Sequence, residues 1–171
     1  MRLAKYVCVG VLGVLALTLV ALFAIHRDDA IESETLIDGS PQHVWRVLTA
    51  TDDYPRWNPE ITQLRGELRE GNVIEIVVGS GRDAMVFNPT ILTVHQIQEL
   101  KWKGHVWVPG IFDGEHRFVL EAAGGKTRFV QSEAFTGLLA GRLTQGVLSS
   151  TLTSMRAMNN ALKQRVEHTP E

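Results

Sequence analysis

The residues best placed to do chemistry in this chain are a histidine and a glutamate on two predicted neighbouring strands. Residues 111–137 form two runs that alternate polar and apolar side chains around Gly124 and Gly125, a pattern that predicts a β-hairpin. A turn centred on the two glycines places His116 opposite Glu133. A symmetric two- or four-residue loop preserves this register, whereas a three-residue loop shifts it by one and turns one strand's side chains over.

The face that carries this pair is predicted to be buried, because it is otherwise rich in large apolar side chains. Phe118, Phe129 and Phe135 lie on it, with Gln131 opposite Phe118. The pair then has two interpretations. It is either a structural pair whose members satisfy each other's hydrogen bonds, or it lines a cavity. In a cavity it would bind the polar end of a ligand, or act as a general base and its orienting carboxylate.

Within the cavity interpretation, ligand orientation is favoured over catalysis. Alternation along two strands readily brings one polar residue opposite another, and the sequence fixes no third catalytic partner. The catalytic residues are therefore left unassigned.

A different kind of segment precedes this region. Val7 to Ile25 contains no charged residue, and a helix of that length spans roughly 28 Å, close to the hydrocarbon thickness of a bilayer. We expect residues 1–27 to be an uncleaved single-pass transmembrane anchor, with a signal segment as the alternative. Arg2 and Lys5 precede the apolar run, so the positive-inside rule puts the globular domain on the extracytoplasmic side.

Composition excludes several classes of protein. The chain has 171 residues, a formal net charge of −2 and a single cysteine, so it has neither a basic footprint for nucleic acid nor an internal disulfide. Its histidines are scattered without metal-ligand spacing, and we expect no metal and no cofactor. Residues 28–33 read as a polar neck and residues 34–168 as one domain, which we expect to be monomeric.

The elements that position the pair follow from local patterns. Glu34 to Asp38 reads as a short strand, and Ser40 before a proline opens a short helix. The segment from Tyr54 to Pro59 contains two prolines and two aromatic residues, so it forms a corner. In that corner Tyr54 and Trp57 either form a lid over a ligand entrance or plug the end of the core.

The rest of the chain alternates with the period of strands until a final helix. Residues 72–78, 85–96 and 99–106 are predicted strands, the second one bent at Pro89. From residue 138 to 167, apolar residues recur at spacings of three and four, which predicts a long helix with a buried stripe. The order predicts an α+β domain in which one antiparallel sheet wraps a C-terminal helix.

This order resembles the helix-grip fold of the START-like, or SRPBCC, superfamily, which includes polyketide cyclase/dehydrase-like and lipid-transport families. The resemblance covers residues 34–166 and rests on five short segments: Ser40-Pro41-Gln42-His43-Val44-Trp45, Trp57-Asn58-Pro59, Leu100-Lys101-Trp102, Gly114-Glu115-His116-Arg117-Phe118 and Glu133-Ala134-Phe135-Thr136-Gly137. It implies a deep apolar cavity between sheet and C-terminal helix. The superfamily has no universal catalytic set, so it implies no catalytic residue.

The favoured hypothesis is a membrane-tethered binding domain for a hydrophobic small molecule or lipid, held in an internal cavity by apolar burial. The predicted ligand-binding residues are His116, Glu133 and Gln131 for the polar end and Trp102, Phe118, Phe129 and Phe135 for the body. The alternative is a cyclase/dehydratase-type enzyme in which His116 removes a proton and Glu133 stabilises the imidazolium. A third reading is a non-catalytic protein with a filled cavity.

Overall fold

The computed structural model describes residues 29–170, together with Gly13. Apart from Gly13, the segment predicted to span a membrane, Val7 to Ile25, lies outside the described residues. Within the part of the chain that is described, no helix combines the length and the apolar character needed to cross a bilayer.

A five-stranded antiparallel sheet forms the framework of the domain. Its strands, in spatial order, are β1 (Asp29–Ile37), β8 (Lys126–Thr136), β7 (Phe112–Ala123), β6 (Glu99–Val106) and β5 (Thr90–His95). β7 and β8 are joined by the predicted two-residue turn, since Ala123 pairs with Lys126. Gly124 and Gly125 both have positive φ, 60° and 86°, which is the conformation that a type I′ hairpin turn requires.

The first strand begins earlier than expected. Residues 29–33, predicted as part of the neck, belong to β1 and pair with β8 from Asp29 opposite Phe135 onward. The neck assignment was wrong. It rested on the polar character of this stretch, but the residues alternate between exposed and at least half-buried positions, as in a strand. A strand with one solvated face accommodates polar residues at every second position.

Helix α1 (Pro41–Thr49) follows β1, and Ser40 caps it as predicted, its hydroxyl accepting a hydrogen bond from the His43 N–H at 3.2 Å. A 3-10 turn (Thr51–Asp53) and the single-turn helix α2 (Tyr54–Trp57) form the corner. A second sheet of β2 (Ile61–Arg65), β3 (Glu75–Val78) and β4 (Met85–Phe87) comes next.

The predicted long strand over residues 85–96 is divided at Pro89. β4 pairs with β3 in the second sheet, whereas β5 starts at Thr90 and pairs with β6 in the first. Proline has no backbone N–H and so cannot continue a ladder. The sequence predicted one sheet, but the described residues form two, which are joined by an isolated bridge between Val73 and Thr90.

The C-terminal helix α3 (Ala140–Glu167) packs against the inner face of the first sheet. Its buried stripe lies in the C-terminal half of the helix. The stripe comprises Met155, Met158, Asn159, Leu162 and Val166. The described residues thus confirm the α+β architecture of an antiparallel sheet wrapped around a long C-terminal helix.

Candidate functional site

The predicted hairpin register is confirmed. His116 pairs with Glu133 across β7 and β8, and His116 Nδ1 lies 3.2 Å from Glu133 Oε2. Both side chains sit on the inner face with Phe118, because residues two apart on a strand point the same way. The pair that alternation predicted therefore exists as a contact.

Gln131 extends the pair to a chain of three polar side chains. Its amide Nε2 lies 2.7 Å from His116 Nε2. An amide nitrogen donates and cannot accept, so His116 Nε2 accepts this bond and the ring proton on Nδ1 is donated to Glu133. Both ring nitrogens are occupied by protein groups.

The other end of the Gln131 amide is not satisfied. Among the described residues its Oε1 is buried without a hydrogen-bond partner, and its Nε2 otherwise contacts only the sulfur of Met158, at 3.7 Å. A buried carbonyl oxygen without a partner costs about 1–3 kcal/mol. Because Gln131 is only 2% exposed, a ligand's hydroxyl or N–H group could satisfy this acceptor only if the side chains around it move.

Aromatic rings surround the polar chain. Trp102, opposite His116 on β6, stacks on the imidazole with ring centroids 5.4 Å apart and planes 20° apart. Phe118 contacts both rings, at 5.1 Å from Trp102 and 4.7 Å from His116. This wall fixes the imidazole plane and leaves the polar edge of the ring directed at Gln131 and Glu133.

Two facing glycines lie next to the pair, a feature that the sequence analysis did not single out. Gly104 and Gly114 are opposite each other on β6 and β7. A Cβ on Gly114 would come within 2.9 Å of Glu133 Oε1, so the carboxylate occupies space that any larger residue would take. The signal was available, since alternation places Gly104 on the same face as Trp102.

Solvent reaches the polar pair although its face is interior. The side chains of His116 and Glu133 are 13% and 19% exposed, while Phe118 and Phe129 beside them are fully buried. The sheet's inner face is therefore accessible at the glycines and the His–Glu pair, and closed further along.

The predicted aromatic ligand residues occupy different places. Phe118 and Phe129 stack on each other in the closed core, with centroids 5.8 Å apart. Phe135 stacks on Phe112 near the glycines. Trp102 is nearly buried beside the polar pair. Trp102 and Phe135 are thus adjacent to the accessible region, whereas Phe129 supports it from behind.

The two predicted lid residues, Tyr54 and Trp57, belong to the single-turn helix of the corner. Tyr54 is fully buried, and its hydroxyl donates to the Leu48 carbonyl at 2.8 Å; burial raises the pKa of this hydroxyl well above its ordinary range. Trp57 packs against it with centroids 5.0 Å apart. Tyr54 plugs the core, which is the second of the two alternatives considered for the corner.

A surface groove of about 340 Å³ lies elsewhere, between α1, the end of β2 and the end of β5. None of the predicted ligand-binding residues lines it. Its lining is Trp45, Thr49, Thr51, Gly66, Glu67, Leu68, Val94 and Gln96. Over the residues that the structure describes, no three His, Cys, Asp or Glu side chains converge as a metal site would need.

An antiparallel sheet gripping a C-terminal helix, with a polar cluster on its inner face, defines a helix-grip domain of the SRPBCC class. Residues 29–167 match the family described as polyketide cyclase / dehydrase and lipid transport. The chain belongs to this family. A comparison with curated proteins finds no matching sequence.

Solved structures share the fold at low sequence identity. Ara h 8.0201 is 14% identical, with a TM-score of 0.67 over 84% of this chain and 100% of its own. The Zhui aromatase/cyclase from Streptomyces sp. R1128 is 12% identical, with a TM-score of 0.65 over 82% and 94%. Norcoclaurine synthase from Thalictrum flavum, in complex with dopamine and hydroxybenzaldehyde, is 14% identical, with a TM-score of 0.66 over 86% and 92%.

Proposed function

We propose that this protein is a membrane-tethered binding domain that takes up a hydrophobic small molecule or lipid and recognises its polar end with His116, Glu133 and Gln131. The observation that carries the proposal is the solvent access of the His116–Glu133 pair on an otherwise buried face. Polar side chains that solvent reaches on such a face are also within reach of the polar group of a solute.

The chemistry of the three side chains indicates what kind of polar group they would bind. Gln131 offers the unpartnered Oε1 acceptor, and Glu133 is a further acceptor beside Gly114. Hydroxyl or N–H donors on a ligand would suit both. Trp102 and Phe135 would contact the apolar body of the ligand, whose transfer from water supplies about 25 cal/mol per Å² of buried apolar surface.

The alternative function, a cyclase/dehydratase-type enzyme, uses the same residues. It draws support from the Zhui aromatase/cyclase and norcoclaurine synthase among the proteins that share the fold. Its difficulty is local: a general base needs a ring nitrogen open to the substrate, and His116 Nε2 already accepts from Gln131. Catalysis would require Gln131 to turn away, whereas binding would not.

The tether itself rests on the uncharged run from Val7 to Ile25 and its basic N-terminal flank. With this orientation the domain lies on the extracytoplasmic side, on a single-pass anchor. The full chain should stay in the membrane fraction after carbonate extraction, and protease added outside should remove the domain. A soluble protein beginning near residue 29 would contradict the tether without affecting the site.

Binding is tested on the full chain in detergent, by mass spectrometry of small molecules that co-purify and by saturation with a fluorescent fatty-alcohol analogue, whose hydroxyl group is a hydrogen-bond donor. Glu133→Gln should weaken binding of the probe about 10-fold or more if the Glu133 carboxylate accepts a hydrogen bond from the ligand, since hydrogen bonds to charged groups contribute about 1.5–3 kcal/mol. The matched control is Glu115→Gln, one residue from His116 on β7 and on the outer face near Lys101.

The outcomes separate the hypotheses. Equal binding by Glu133→Gln, Glu115→Gln and the parent chain would remove the pair from the site. Loss of turnover of a polyketide-like substrate in Glu133→Gln with binding retained would instead favour the enzyme, because only a group needed in the transition state behaves that way.

A further inference from the structure

Three separate segments meet at one end of the domain: the start of β1, the loop between β6 and β7, and the start of α3. The carboxylate of Asp29, the first residue of β1, accepts a hydrogen bond from the Thr144 hydroxyl on α3. The Leu138 and Leu139 N–H groups donate to the Gly110 and Ile111 carbonyls, both at 2.9 Å. These contacts fix the three segments side by side.

This end exposes large apolar side chains. Trp107 and Val108 in the β6–β7 loop are 68% and 57% exposed, and Leu143 and Val147, one turn apart on α3, are each 37% exposed. We call these four residues the apolar end. The adjoining stretches 106–111 and 137–141 contain no charged residue. Grouped exposed apolar side chains of this kind mark interaction sites.

The loop holds its tryptophan outward at an energetic cost. Trp107 has φ of 68°, in the left-handed region that a bulky residue rarely adopts. Nothing in the core is gained by this conformation, because the ring is the most exposed of the large hydrophobic side chains described. A strained residue of this type points to a role outside the fold itself.

The chain enters the domain at the same end. Only residues 26–28 separate the uncharged run ending at Ile25 from Asp29, and a fully extended chain between Ile25 and Asp29 reaches no more than about 14 Å. If the uncharged run is the membrane anchor, as in the proposed function on which this step rests, the bilayer surface lies against the apolar end rather than the opposite one.

We propose that the apolar end docks on the lipid bilayer, with Trp107, Val108, Leu143 and Val147 inserted at the interface. Tryptophan is the residue type enriched at that depth, and a short tether makes the encounter intramolecular, so even a weak surface attraction suffices. His116 lies four residues from the start of β7, about 13 Å from this end at the rise of a strand. A lipid-derived ligand would therefore pass from the bilayer to the polar cluster without crossing open water.

The test reads the environment of single positions in the full chain. In a Cys8→Ser background, Val108→Cys or Leu36→Cys carries an environment-sensitive nitrobenzoxadiazole label, and the protein is reconstituted in phosphatidylcholine vesicles with or without brominated acyl chains. Leu36 is the matched control: it is an exposed apolar residue on β1, but it pairs with Arg128 near the β7–β8 turn, about 23 Å along the strand from Asp29.

Docking predicts a blue-shifted label at position 108 that brominated lipid quenches, and neither effect at position 36. A vesicle-bound chain with water-like emission at 108 overturns the docking and leaves the tether standing. A chain that does not float with vesicles overturns the tether, and the docking with it. A blue shift without lipid quenching that disappears on dilution into more vesicles shows contact with a second copy, which also overturns the proposal.

A substitution then tests the tryptophan directly. Trp107→Asn removes the ring, and asparagine tolerates the positive φ of this position, so the loop is retained. With the label at Leu143→Cys, docking predicts that Trp107→Asn lowers lipid quenching of the label. Unchanged quenching in a folded variant would exclude Trp107 from the contact.

Discussion

The two ends of the sheet's inner face differ in the side chains they carry and in how deeply these are buried. At the end near the β7–β8 turn, Leu120 and Phe129 are buried against α3 residues such as Leu162 and Val166. At the other end, the same strands carry Gly114, His116 and Glu133, and the facing half of α3 is only partly buried. We call these the closed end and the open end.

The difference teaches where the stability of the domain comes from and where its chemistry lies. The closed end has a continuous apolar stripe on α3 facing aromatic rings, so its burial drives folding. The open end keeps two facing glycines and a polar pair within reach of solvent, neither of which adds to the apolar burial. Such departures from good packing concentrate at functional sites.

The largest expected effect comes from truncating helix residues at the two ends. Leu162→Ala removes a fully buried side chain at the closed end and should lower the free energy of unfolding by about 2–5 kcal/mol. Leu143→Ala at the other end should change it by no more than about 0.5 kcal/mol. Urea denaturation of the full chain in detergent measures both, and equal losses would erase the contrast.

Alanine substitutions at two glycines, one at each end, should have effects of intermediate size, one on stability and the other on probe binding. In Gly39→Ala the new Cβ would meet Val166 Cγ1 at 2.7 Å, and overpacking this core contact should cost about 1–3 kcal/mol of stability. In Gly114→Ala it meets the mobile end of Glu133 at 2.9 Å, which can turn aside. Stability should then be kept while probe binding falls.

The outcome that would contradict this test is a reversal. If Gly114→Ala unfolds the domain while binding survives in whatever remains folded, the glycine is structural. Gly104→Ala is the control at the open end, because its Cβ would make only an ordinary contact of 3.6 Å with Pro89.

The smallest effect concerns an ion pair at the closed end. The Lys163 ammonium and, next, the Asp38 N–H lower the pKa of the Glu167 carboxyl below its ordinary value of 4.5. A carboxyl group whose pKa is lower in the folded state stabilises the fold at pH values above its unfolded-state pKa. This stabilisation is lost as the pH falls through the folded-state pKa. Glu167→Gln should therefore cost well under about 1 kcal/mol at pH 7, since the pair is exposed, and the difference from the parent should shrink as the pH falls below the ordinary carboxyl pKa of 4.5. A difference that does not shrink at all between pH 7 and pH 3 would mean that the carboxylate charge is not its source.

The sequence by itself determined the elements whose signals are local. Alternation around Gly124 and Gly125 predicted the hairpin register, and hence the His116–Glu133 contact, and the observed two-residue turn with both φ positive is a loop that keeps this register. Apolar spacing determined α3 within two residues of its start, since a long amphipathic helix has one face to bury.

Tertiary structure decided what depends on partners distant in the chain. β1 extends to Asp29 because β8 is there to pair with it, although the local residues are polar. Pro89 divides a strand because two different neighbours accept its halves. Gln131 covers the second nitrogen of His116, and Gly114 leaves room for Glu133. These contacts are set by side-chain positions in three dimensions, which the alternation of one strand specifies only as a face and not as a distance.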